Sequence, residues 1–132
     1  MRTDQHQLQD ALVARTTFPC RPDAVSPARC WAQQVYCQAG GTEPETCALL
    51  VSELATNAVQ HAGGERFEIT VWSSLAVDVA DGSPEKPVPR VASDDQEDGR
   101  GLLLVTALAE YFEVIPTEDG KISRFRLPEA LS

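Results

Sequence analysis

Glu53-Leu54-Ala55-Thr56-Asn57-Ala58-Val59-Gln60-His61-Ala62 is the stretch on which the reading of this chain turns. Wrapped at 3.6 residues per turn, its surroundings divide into two halves. Leu50, Val51, Leu54, Ala55, Ala58, Val59 and Ala62 fill one side; Ser52, Glu53, Thr56, Asn57, Gln60 and His61 fill the other. A helix of this kind buries one face. Glu53, Asn57 and His61 follow at i, i+4 and i+8, which stacks a carboxylate, an amide and an imidazole along one line beside the apolar edge. Taken alone, that line describes a solvated helix face.

Working outward, Thr42-x-x-Glu45 around Pro44 is a capping-box pattern, so a helix reading Thr46 to Ala62 begins there and stops at Gly63-Gly64. Upstream, Pro22, Asp23 and Pro27 open another helix from about Ala24 to Ala39, with Asp23 capping free amides and Gly40-Gly41 as the stop. Ala14 to Pro19 has weak strand character, and the polar residues before it read as a flexible tail over 1–13 ahead of one domain over 14–132. Downstream, Arg66 to Trp72 and Leu75 to Ala80 form a hairpin around Ser73-Ser74. Asp81 to Asp98 holds three prolines and the acidic run Asp94-Asp95-Gln96-Glu97-Asp98, a composition that suits a lid or binding loop. A short apolar helix, Leu102 to Ala109, follows, and then strands Tyr111 to Ile115 and Ile122 to Leu127 joined at Asp119-Gly120. Strands joined by hairpins with helices between them predict an α+β two-layer sandwich, a mixed, mostly antiparallel sheet covered by about three helices.

Charge and composition narrow the function. The chain has 132 residues, 42% of them hydrophobic, with 20 Asp and Glu against 11 Lys and Arg and a net charge of −9. One core is expected at this length. An acidic surface repels phosphate backbones and anionic lipid, which argues against direct nucleic-acid binding and membrane docking. The polar start is not a secretory signal and no apolar run reaches the roughly 20 residues of a membrane span, so the expected location is the cytoplasm. Cys20, Cys30, Cys37 and Cys47 contain no C-x-x-C pair and have no histidine at a zinc-site offset. Cys30, Cys37 and Cys47 read as small apolar fillers on helices in a reducing compartment.

Two further segments keep company with the Glu53 helix. Asp81-Gly82-Ser83-Pro84 places a carboxylate at a strand end, and Gly99-Arg100-Gly101-Leu102-Leu103-Leu104-Val105 places two glycines at a helix start, where backbone amides and the helix dipole receive an anion. In this order and spacing the three segments resemble the N box and two glycine boxes of the GHKL, or histidine kinase-like, ATP-binding superfamily with its Bergerat sandwich fold. The resemblance covers about Ala14 to Pro128, and within the superfamily it is nearest to the small stand-alone bacterial anti-sigma factor and serine-protein kinase branch of actinobacterial type.

The resemblance implies a role for each matched residue. Asn57 would bind Mg2+ through its side-chain oxygen, a hard ligand for a hard ion that also bridges phosphates. Glu53, one turn earlier, would be the catalytic base that draws a proton from an attacking hydroxyl. Asp81 would accept from the adenine exocyclic amine, with Gly82 and Ser83 shaping the turn beside it. Gly99, Arg100, Gly101 and Leu102 would bind the phosphates of ATP. His61 is given a packing role. Two departures stand out: Ser83-Pro84 occupies the place of a family glycine, and Ile122 follows Lys121 where a threonine is common, leaving Ser123 as the nearest hydroxyl. The function so implied is a Mg-ATP-dependent serine/threonine protein kinase of the anti-sigma factor type. Its partners would be an anti-anti-sigma (STAS-type) protein, a sigma factor, or both; the resemblance is also compatible with a homodimer, while the sequence leaves the oligomeric state open. The alternatives are a nucleotide-gated protein-binding module and a scaffold without nucleotide. Histidine kinase activity would need a helical dimerisation segment, which the short polar start with His6 does not supply.

Overall fold

Alternating apolar residues build the sheet that a computed structural model of the chain describes over residues 10–61, 64–82 and 105–129. Its strands are β1 (Leu12–Pro19), β2 (Arg66–Trp72), β3 (Val77–Asp81), β4 (Tyr111–Pro116) and β5 (Lys121–Arg126). They lie in the order β1-β2-β3-β5-β4, and every pair is antiparallel. The mixed sheet expected from the sequence is thus antiparallel throughout among the described strands. β1 starts at Leu12, two residues before the strand read from sequence, because Leu12 pairs with Trp72 across an irregularity that precedes Ala14.

Helices α1 (Val25–Gln38), entered through a 3-10 turn at Pro22–Ala24, and α2 (Pro44–His61) pack on each other and against the sheet. A further helical segment is described over 105–108. Phe67, Ile69 and Val71 of β2, Val77 and Val79 of β3 and Phe125 of β5 form one core with Leu50, Val51, Leu54, Ala55 and Ala58 of α2 and Ala28, Ala32 and Val35 of α1. Each large side chain so buried contributes about 1.5–3 kcal/mol. Phe18 stacks on Phe67 at 5.6 Å and meets Trp31 edge-on at 6.3 Å, joining β1 to α1. The buried stripe of α1 runs through Ala28, Ala32, Val35 and Tyr36, which turns Cys30 and Cys37 outward. Of the three cysteines expected as fillers only Cys47, in α2, is buried.

The ends of the helices follow their residues. Gly40 adopts φ +104, its amide donates to the Cys37 carbonyl, and the Gly41 amide donates to Tyr36, both at 3.0 Å. These two bonds make the Schellman stop that the glycine pair predicts. Asp23 does not cap α1: it pairs with Arg21 at 3.0 Å in solvent. The capping box is also redirected, since α2 begins at Pro44 and not at Thr46. The Thr42 amide, which the box would hand to Glu45, donates instead to Glu129 Oε1 at 2.7 Å, and the Thr42 hydroxyl joins it at 2.8 Å. Tyr36 donates its hydroxyl to Glu129 Oε2 at 2.8 Å, so the segment after β5 clamps the α1–α2 connection.

Candidate functional site

Asn57 is the departure from the apolar stripe of α2. It is 9% exposed, and its Nδ2 is buried with no hydrogen-bond partner among the described residues. On the helical wheel it falls on the polar half, but it lies next to Leu54 and Ala58, and the packed seam is wide enough to take it out of water. A buried donor left unpaired costs about 1–3 kcal/mol, so its retention points to a ligand atom as the missing acceptor. Glu53, one turn earlier, is half-buried, and His61, one turn later at the helix end, is exposed. The line read from the sequence therefore runs from half-buried carboxylate through buried amide to solvated imidazole.

β3 carries the second part. Asp78 and Asp81 are an odd number of residues apart and so face opposite sides of the sheet. Asp78 belongs to the outer face, where it accepts from Trp72 Nε1 at 3.0 Å, Arg124 Nε at 2.7 Å and Arg124 Nη2 at 2.9 Å. Beside it Arg15 donates to Thr70 Oγ1 at 2.9 Å and lies over the Trp72 ring at 6.0 Å. Asp81 shares the helix-side face with Val77 and Val79. Its carboxylate accepts from Lys121 Nζ at 2.9 Å, and the two side chains are only 4% and 6% exposed. They are direct cross-strand partners in the β3–β5 register.

Close backbone packing holds this end of the sheet. A methyl group on Gly120 would lie 2.0 Å from the Asp81 carbonyl oxygen and 2.7 Å from Gly82 Cα. One on Gly82 would meet the Gly64 amide at 3.1 Å. The α2–β2 connection, the residue after β3 and the β4–β5 turn therefore meet backbone to backbone, which only glycine permits at position 120. Cys20, after β1, is within electrostatic reach: burial lifts its thiol, the Asp81 charge lifts it further, and Arg66 acts in the opposite sense.

Of the residues expected from the sequence, the structure places Asn57 in a buried position on α2, Glu53 beside it, and Asp81 and Gly82 at the end of β3. Ser83, Gly99, Arg100, Gly101, Leu102 and the acidic stretch ending at Asp98 lie outside the described residues. Ser123 is 3% exposed on β5. Sequence reasoning missed Lys121 as the partner of Asp81, because β3 and β5 are far apart in the chain and no local pattern sets the first residue of β5 opposite the last of β3. Among the described residues no group of three or more His, Cys, Asp or Glu could hold a metal ion. No helix among them is long and apolar enough to cross a membrane. Residues 18–127 match a family model described as histidine kinase-like ATPase domain. A search of curated proteins returns no match.

Proposed function

The chain belongs to the histidine kinase-like ATPase family, and from that premise we propose that it binds ATP with Mg2+ and acts as a serine/threonine protein kinase of the anti-sigma factor type. The observation that carries the nucleotide reading is the buried amide nitrogen of Asn57, without a hydrogen-bond partner among the described residues, on the helix that also holds Glu53. Asn57 fits the metal because magnesium takes one or two protein oxygens and completes its shell with water and phosphate, so a cluster of carboxylates is not required. When bound, the ion would neutralise phosphate charge that a protein of net charge −9 otherwise repels.

Glu53 performs the proton step. It accepts the proton of a serine or threonine hydroxyl on the partner as that oxygen takes the γ-phosphoryl group and ADP departs. Half-burial keeps this carboxylate accessible to an incoming hydroxyl. The proposed partner is an anti-anti-sigma protein of the STAS type, or a sigma factor held by the same surface, in the cytoplasm; the acidic charge favours protein over nucleic acid. Titration calorimetry of the full chain with ATP tests the binding: saturable, Mg2+-dependent heat is expected, and heat no larger than dilution refutes it. Transfer of labelled phosphate to a STAS-type protein tests catalysis. Glu53→Gln should bind ATP and transfer none, and unchanged transfer by that variant would remove Glu53 from its role.

A further inference from the structure

The Asp81–Lys121 pair does more than brace the sheet. An ammonium has three donors. Lys121, with a side chain 6% exposed, directs one of them to Asp81 Oδ1 at 2.9 Å, and the other two have no hydrogen-bond partner among the described residues. Removing a charged group from water without satisfying its donors is costly. The β3–β5 register and the backbone contact between Gly120 and Asp81 fix the lysine beside the carboxylate. What results is a buried couple of one acceptor and one under-used donor, side by side, facing the same side of the sheet as the core valines of β3.

We propose that Lys121 is a specificity-determining residue that reads the nucleobase together with Asp81. The carboxylate accepts from the exocyclic amine of a 6-aminopurine, and the ammonium donates to a ring nitrogen beside that amine. A carboxylate has lone pairs enough to serve lysine and base together. On both edges of adenine the amine stands next to a ring acceptor, N1 on one and N7 on the other. The donor–acceptor order of the base therefore complements that of the pair. Directly after this lysine, where a threonine is common, stands the bulkier Ile122, and the nearest hydroxyl, Ser123, is buried. Lys121 supplies the base contact in its place.

This inference rests on the nucleotide reading above, and its test keeps the two apart. The unsubstituted full chain is titrated with ATP, 1-deaza-ATP and 7-deaza-ATP in the presence of Mg2+, and the series is repeated with Lys121→Met. A charge-assisted hydrogen bond to the ring nitrogen makes one of the two analogues bind about tenfold more weakly than ATP. In Lys121→Met that difference should vanish while ATP itself weakens by a similar factor. Equal binding of all three nucleotides to the unsubstituted chain overturns the role of Lys121 and leaves ATP binding standing. Tighter ATP binding by Lys121→Met would mark the lysine as a plug on Asp81 and also overturn the role. No binding of any nucleotide overturns the underlying reading as well. Since Lys121→Met takes the ammonium away from a buried carboxylate and risks the fold, the analogue series on the unsubstituted chain decides the matter by itself.

Discussion

Replacing Asn57 by alanine should make the protein more stable and unable to hold Mg-ATP. Asn57 is 9% exposed, with an amide nitrogen that has no partner among the described residues, and removing such a donor recovers about 1–3 kcal/mol. Alanine also exceeds asparagine in helix propensity by about 0.5 kcal/mol within α2. Against this stands the small void left by the carboxamide, of order 1 kcal/mol. The balance favours the variant by roughly 0.5–2.5 kcal/mol, which at this chain length is a rise in Tm of about 2–10 °C. A buried amide with its bonds made would give the opposite sign. Ligand then reverses the order: nucleotide at a hundred times its Kd adds about 2.7 kcal/mol to the parent and nothing to the variant. Scanning calorimetry with and without Mg-ATP should show the variant melting above the parent alone and below it with nucleotide. A variant melting several degrees below the parent without nucleotide would mean that the amide has a partner. Equal ligand-induced shifts in both proteins would take Asn57 out of the site.

Gly120→Ala should lower Tm by about 10 °C or more, because its methyl group would lie 2.0 Å from a backbone oxygen that cannot move alone. Gly64→Ala, whose nearest neighbour would be at 3.7 Å, should melt with the parent. Burial pushes the Glu129 carboxyl up, but the hydrogen bonds from Tyr36 and Thr42 outweigh it and hold it below its ordinary 4.5. The clamp therefore adds stability above that value and loses it as pH falls through the lowered one. Glu129→Gln should cost about 1 kcal/mol at neutral pH, little because the site is solvated, and the gap should close in acid as read by denaturant melts. Burial first, then Cys37 and Glu129, push the Cys47 thiol up to about 12. Its contribution is complete below the unfolded value of 9 and fades as pH rises above it. A thiol-reactive dye at mildly alkaline pH should find exposed Cys30 and Cys37 at once and Cys47 only after denaturant.

The parts of the fold that the sequence makes legible are those set by local periodicity. Arg66 to Trp72 alternates cleanly and becomes β2 with the same ends; the glycine pair after α1 gives the stop it predicts. What remains hidden depends on partners distant in the chain. Lys121 meets Asp81 across 40 positions, and Glu129 meets Tyr36 across 93, so neither contact has a local signature. The capping box fails for the same reason: its residues are right, but a carboxylate from the far end of the chain reaches the Thr42 amide first. Asn57 shows the limit of the helical wheel. The wheel ranks residues by angle, whereas burial at the edge of a stripe depends on how much neighbouring structure closes over it.

Parity along one short strand separates the two acids of β3 into different tasks. Asp78 faces outward and receives three donors from Trp72 and Arg124, so its bonding is spent within the protein. Asp81, on the opposite face, receives its ammonium from a lysine whose other donors have no partner among the described residues. A buried group whose hydrogen-bonding capacity is used up contributes order; one that keeps capacity in reserve carries a standing cost that only a bound molecule removes. Asn57 on α2 carries the same cost through its amide nitrogen. Two unsatisfied positions, one a neutral amide and the other a cation, both call for acceptor atoms, and ATP supplies acceptors of two kinds: phosphate oxygens and the ring nitrogens of its base. The described scaffold is thus under-bonded in the sense that the proposed ligand would complete, and over the same elements the outer face of the sheet is fully paired at Asp78.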